Sequence, residues 1–344
     1  MDVLVDDVGS FPLPPQIDRK SFERAYTLSR KAIADNKHVK SDEFLRKNFY
    51  QVTVDSFLKK AETGLDVINY PQHYDMHKQL TDVLKEATER GTYLIDSSQA
   101  FLPEVCVIRE EAKSLYEQLG RKVQLRVCIL GPMELYLREI GTGAYSDVLS
   151  MFAESVRRFA KNSIFDSKYV KTAVISLDEP SFGFREISAR RDVILDVLER
   201  AFDFGGVVRQ IHLHSPSRLV DILEVKNVDV LSLEFAASPR NIDVVSPRML
   251  DQANKQIRVG ISRTDIDSIM AELYERGVTK PNIEQIADEE ATIQKRLRTA
   301  KQKYGEHMSF TGPDCGLGSW PSQEAAELLL KRTVNAVRTM SRSV

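Results

Sequence analysis

The stretch VRQIHLHSPSRLVDILEVKNVDVLSLE, Val208 to Glu234, holds one full unit of a repeating plan. Val208 to Leu213 is short and led by Val, Ile and Leu, as a strand covered on both faces should be. Pro216 to Val225 shows helical spacing, and Val228 to Leu233 returns to the strand pattern. A strand, a helix and a second strand joined by short connectors predict a parallel βαβ unit.

The same rhythm runs outward in both directions. Towards the N-terminus lie Thr172 to Leu177 (TAVISL), Val123 to Leu130 (VQLRVCIL) and Leu65 to Tyr70 (LDVINY), the last stopped by Pro71. Towards the C-terminus lie Ile257 to Ile261 (IRVGI) and His307 to Phe310. Helices are predicted between them at Ser41–Thr63, Gln79–Arg90, Ala144–Asn162, Arg191–Phe204 and Glu289–Tyr304, with the charged run Glu289 to Lys303 as a solvated face. About eight or nine βα units without a Gly/Ser-rich linker predict one closed TIM (β/α)8 barrel. The expected organisation is a single domain over residues 1–344, with 1–40 as an N-terminal extension packing on the barrel.

Composition narrows the function. The 344 residues carry 48 Lys+Arg against 50 Asp+Glu, a net charge of -2, which argues against nucleic-acid binding. No stretch approaches the roughly 20 apolar residues of a membrane span. Met1 to Gly9 has two adjacent Asp and no basic region, unlike a signal peptide. Three dispersed cysteines predict no disulfide framework and a cytoplasmic protein.

The strand ends carry the chemistry. They read Gly9-Ser10-Phe11-Pro12, Gly131-Pro132, Asp178-Glu179-Pro180, His212-Leu213-His214, Glu234 and Gly312-Pro313-Asp314-Cys315-Gly316. In a barrel, reactive groups gather at the C-terminal ends of the strands. His212 and His214, two apart in a strand, point to one face. Glu234 ends the next strand, and barrel closure brings Cys315 back towards the start of the chain. Two imidazoles, a carboxylate and a thiolate suit Zn²⁺. The alternative is a pair of satisfied rim histidines and a small loop cysteine.

Gly9-Ser10-Phe11-Pro12, Leu177-Asp178-Glu179-Pro180, the His-x-His strand, Leu231-Ser232-Leu233-Glu234 and Pro313-Asp314-Cys315-Gly316-Leu317 resemble cobalamin-independent methionine synthase. The resemblance is to its catalytic C-terminal half and covers nearly the whole chain in the family's order. Without the family's large N-terminal half, the chain resembles a stand-alone core form, with the barrel mouth open to a large donor.

The resemblance implies a zinc-dependent homocysteine S-methyltransferase. His212, His214, Glu234 and Cys315 fall on the family's zinc ligands, with His214 departing from the family's Cys. An imidazole in place of a thiolate removes one negative charge, leaving the zinc more electrophilic and the substrate thiolate less nucleophilic. Asp178 falls on the residue holding the substrate ammonium, and the backbone around Ser10 on the carboxylate site. Gln72 stands where the family has a second ammonium-binding carboxylate. Asp267, in Asp265-Ile266-Asp267-Ser268, stands where folate-using members have a proton-donating histidine, and Val105-Cys106 where they have a pterin-contacting Arg-Cys pair.

These departures fall mostly on the folate side. Methyltetrahydrofolate needs an acid to become a good electrophile, whereas methylcobalamin does not. The expected donor is therefore methylcobalamin or a methylated corrinoid protein, with methyltetrahydrofolate as the alternative. Another zinc thiol alkyltransferase, using coenzyme M or an epoxide-derived electrophile, and a non-catalytic barrel with a structural zinc are the competing readings.

Other residues carry less. His73 and His77, i,i+4 after Pro71, read as a second metal option or as surface histidines. His38 and His307 have no motif. Arg157, Arg158 and Lys161 read as helix surface, and Cys106 and Cys128 as inert residues in strand-like contexts. Trp320 is expected either to line the mouth or to pack under the C-terminal helix.

Overall fold

A computed structural model describes residues 3–341. It contains eight parallel strands, β1 (Leu4–Val5), β2 (Ile68–Asn69), β3 (Val123–Leu130), β4 (Val170–Asp178), β5 (Val208–Leu213), β6 (Val230–Leu233), β7 (Gln256–Ser262) and β8 (Met308–Pro313). Each is followed by helical chain that returns to the start of the next, as in a TIM barrel. The sheet runs β1-β8-β7-β6-β5-β4-β3-β2. A parallel bridge between Asp6 and Val67 joins its two ends, and the Asp66 and Val67 N–H groups donate to the Val5 carbonyl at 2.8 and 3.2 Å.

The helices form for local reasons and then bury one face. In Ser146–Asn162, Val148, Leu149, Phe152, Val156 and Phe159 recur at helical spacing and all are buried. Asp18 caps Arg19–Ala34 by accepting from the Ser21 N–H, and the buried Phe22 and Tyr26 of this helix pack on Phe49.

Several sequence expectations are corrected. The first barrel strand, Leu4–Val5, lies inside residues 1–40, which therefore are not wholly an extension. The predicted helix Ser41–Thr63 is interrupted by a π-helical turn at Arg46–Tyr50, whose wider winding lets the adjacent Phe49 and Tyr50 both bury. The strand predicted at Leu65–Tyr70 shortens to Ile68–Asn69, because the Asp66 side chain turns back to accept from the Val5 N–H at 2.8 Å. Cys106 lies on the helix Pro103–Glu110, not on a strand, since Pro103 presets a first helical turn.

The barrel interior is layered. Val67, Val174, Val230 and Phe310 fill its lower end. Above them, fully buried Asp6 bridges two fully buried arginines, with Oδ2 on Arg126 at 2.6 Å and Oδ1 on Arg258 at 2.6 Å. Arg126 also donates to Ser176 Oγ at 3.0 Å, and Ser176 Oγ donates to Asp178 at 2.7 Å. A polar column thus rises from the barrel centre to its C-terminal rim.

Candidate metal centre

Three strand ends, those of β5, β6 and β8, converge at that rim. His212 is the penultimate residue of β5 and points inward, paired in register with Ser232 of β6. His214 follows two residues later on the same face, and the two rings meet edge to face at 5.3 Å. Glu234 directly follows β6, and Cys315 follows β8 after Pro313-Asp314. One ligand atom from each of His212, His214, Glu234 and Cys315 lies within 4.8 Å of every other. His214 Nε2 is 3.6 Å from both Glu234 Oε1 and Cys315 Sγ.

The surroundings fit a divalent ion held by these groups. His212 Nδ1 is engaged by Ser232 Oγ at 3.0 Å, while its buried Nε2 has no hydrogen-bond partner. An orphaned buried imidazole nitrogen is costly unless something accepts its lone pair. Burial lowers both imidazole pKa values and so keeps both rings neutral. Burial also pushes the Glu234 carboxyl up to about 7, with Asp265 adding to the rise. The Cys315 thiol is pushed far above its ordinary range by burial, then by the Glu234 charge. A cation amid such donors reverses the rises at Glu234 and Cys315 and leaves the imidazoles neutral, because it favours the deprotonated forms. Two imidazoles, a carboxylate and a thiolate match the ligand types of zinc.

Asp178 ends β4 on the same rim, next to His212 in register. Burial raises its pKa, partly countered by the Arg126 charge and the Ser176 hydrogen bond. Ser10 lies where three loops meet. Its carbonyl accepts from Leu317 N–H at 2.7 Å, its hydroxyl accepts from Gly318 N–H at 3.1 Å, and the next residue, Phe11, donates to the Pro71 carbonyl at 2.8 Å. Gln72 is held in a left-handed conformation (φ 46°), its amide donating to Tyr70 Oη at 3.0 Å. Gly9 is required beside it: a Cβ there would lie 2.9 Å from Gln72 Oε1, on a backbone with φ of 60°. Ser10 and Gln72 share a cavity of about 510 Å³ with His77 and Gly318.

No protein-family model and no curated protein matches the chain. Solved structures do. A B12-independent methionine synthase from Shewanella sp. W3-18-1, in complex with selenomethionine, aligns with a TM-score of 0.62 at 14% identity, over 100% of this chain and 99% of that one. A methyltransferase from Methanosarcina mazei aligns with a TM-score of 0.54 at 13% identity, over 98% and 95%. At these identities the likeness establishes the fold, a TIM barrel of the same extent.

The remaining expected residues fall outside the cluster. Asp267 is exposed in the first turn of the helix Ile266–Glu275. Asp265, two residues earlier, is the member of that segment whose charge reaches Glu234, and it pairs with Arg263 at 2.7 Å. Trp320 is buried and donates from its indole N–H to the Thr264 carbonyl at 3.1 Å, so it packs and does not line the mouth. Cys128 is buried in β3.

His73 and His77 do not form a second metal site. His73 is a core residue with Nδ1 at 2.9 Å from the Phe11 carbonyl and Nε2 at 2.9 Å from Ser56 Oγ. His77 is half-buried and pairs with Glu134 at 3.2 Å.

Two acidic residues of the strand-end motifs have structural duties that their spacing does not reveal. Glu179 is fully buried and accepts the Met133 and Glu134 N–H groups at 2.9 and 2.6 Å, capping the helix Pro132–Glu139. Asp314 accepts the N–H groups of Phe235, Ala236 and Ala237 at 3.0, 3.0 and 2.6 Å. Gly260 makes room for it, since a Cβ there would sit 1.9 Å from Asp314 Oδ1. The one available signal was the pairing of each acid with a glycine at a neighbouring strand end.

Proposed function

We propose that this chain is a zinc-dependent methyltransferase that methylates the thiol of homocysteine, with methylcobalamin or a methylated corrinoid protein as donor. The observation that carries the reading is the four-residue cluster with its orphaned His212 Nε2, on one rim with Asp178 and Ser10. The fold's likeness to proteins described as a methionine synthase holding selenomethionine and as a methyltransferase supports it.

His212, His214, Glu234 and Cys315 would hold the zinc. When bound, zinc supplies a thiolate at neutral pH from a thiol whose free pKa is about 8.5. The chain's own residues do the rest. Asp178 offers a buried carboxylate to the substrate ammonium, with one oxygen already steadied by Ser176 Oγ. The backbone around Ser10, fixed by the loops after β2 and β8, receives the substrate carboxylate. Gln72 offers an amide oxygen to the ammonium without adding charge.

A thiol carrying a sulfonate and no ammonium would bring Asp178 no cation and would set a second anion on its rim, which disfavours a coenzyme M-type substrate. Exposed Asp267 has no part in this reading, and a corrinoid leaving group needs no proton.

The test is an assay of the purified, zinc-loaded protein with homocysteine and each donor. Methionine is expected from methylcobalamin. Turnover with methyltetrahydrofolate alone would overturn the donor, and no methionine from either would overturn the reading.

A further inference from the structure

The peptide that joins Gly9 to Ser10 is held from behind. Lys60 Nζ and the Asn69 side-chain amide both donate to the Gly9 carbonyl, at 3.3 and 3.1 Å. Lys60 is fully buried and reaches in from the helix Gln51–Glu62. Its ammonium also donates to the Asn69 carbonyl at 2.9 Å and pairs with Asp7 at 2.5 Å. The Asn69 amide is fixed in direction, because its Oδ1 accepts from the Cys128 N–H at 3.1 Å. A buried ion pair costs desolvation and often adds little stability over apolar residues of the same volume. What the pair holds explains it better than the stability it adds.

A trans peptide is planar, so its N–H points opposite to its carbonyl. With the Gly9 oxygen drawn towards Lys60, the Ser10 N–H turns the other way, towards the Gly316–Gly318 loop. Among the described residues that N–H finds no acceptor. The Ser10 hydroxyl accepts from the Gly318 N–H at 3.1 Å, which leaves its own proton to give, and Ser10 lines the cavity of about 510 Å³. The loop approaches without a side chain in the way: a Cβ on Gly316 would lie 2.9 Å from Ser10 N and 2.7 Å from Ser10 Oγ.

We infer that Lys60 is a positioning residue, which through the Gly9 carbonyl aims the Ser10 N–H so that this N–H and the Ser10 hydroxyl seat the substrate carboxylate. The inference rests on the reading above and deepens it. Hydrogen bonds in a chain polarise one another, so an N–H whose own peptide carbonyl faces an ammonium is a stronger donor than usual. Lys60 itself does not touch the substrate.

Three thiols separate the two ends of the substrate: homocysteine, 4-mercaptobutyrate (carboxylate, no ammonium) and 3-aminopropanethiol (ammonium, no carboxylate). Their binding to the zinc-loaded full chain is measured by calorimetry. Lys60→Met combined with Asp7→Asn removes the ammonium without stranding its partner's charge. Both acids are expected to bind about 10-fold more weakly or worse, as for one misaimed charge-assisted hydrogen bond, and the amine to change by less than about 2-fold. Circular dichroism checks the fold. Equal weakening of all three thiols, or none in a folded variant, overturns the inference.

The wild type supplies a second readout that needs no variant. In NMR spectra the Ser10 amide and the Lys60 ammonium should both shift on adding 4-mercaptobutyrate, and neither on adding the amine. An acid that binds without moving them overturns the inference, as does a wild type that binds neither acid. Binding of 4-mercaptobutyrate with these shifts, but not of homocysteine, overturns homocysteine as substrate and leaves the seat standing.

Discussion

Asp178 tops the column that begins at Asp6 and passes through Arg126 and Ser176, so its orientation is set before any ligand arrives. Asp178→Asn keeps the shape and removes the charge. A charge-assisted hydrogen bond is worth about 1.5–3 kcal/mol, so homocysteine KM is expected to rise roughly 10- to 100-fold with kcat little changed. Steady-state kinetics check this, and a fall in kcat at constant KM would refute the binding role.

His77 gives a residue-scale pH dependence away from the four-residue cluster. Its hydrogen bonds to Asp75 and then Glu134 raise its pKa from 6.5 to about 9. A folded-state pKa above the unfolded one adds stability that is complete below about pH 6.5 and is lost as pH rises through about 9. Urea unfolding should therefore show a decline between pH 6.5 and 9 that His77→Gln flattens.

Between elements, buried carboxylates act as latches. Glu179 joins the end of β4 to the N-terminus of the helix Pro132–Glu139, where unpaired N–H groups and the helix dipole favour an anion. Glu179→Ala strands those donors and should cost about 2–4 kcal/mol in chemical unfolding. Gly131→Ala attacks the same latch from the other side, because its Cβ would lie 2.2 Å from the Glu179 carboxyl. It too should destabilise, whereas Gly205→Ala, with open space around its Cβ, should not.

At the scale of the whole barrel, Asp6 links the first strand to the third and the seventh through two guanidiniums out of water. Removing one partner of a buried ion pair typically costs about 3–5 kcal/mol, because the remaining charges lose compensation. Asp6→Ala leaves two such arginines, and a drop in unfolding free energy of at least that size is expected. A change under about 1 kcal/mol would show that the triad is dispensable to the barrel.

The sequence by itself determined the alternation of strands and helices and the parallel, twice-covered strands. It also determined that polar residues collect where strands end, because period and strand length are written in neighbouring side chains. His212, His214, Glu234 and Cys315 were legible as a set for the same reason: they stand at the ends of three recognisable strands. Tertiary structure alone decided that the two-residue β1 closes the barrel, since so short a strand has no period to read. It alone decided which strand-end acids face the rim and which are spent as caps. Asp178 and Glu179 are adjacent and alike in sequence, yet one points up the polar column and the other into a helix N-terminus. Likewise His73 is satisfied in the core and His212 keeps an orphaned nitrogen. A side chain's role depends on the atoms within about 3 Å of it, and the fold brings those atoms from distant parts of the chain.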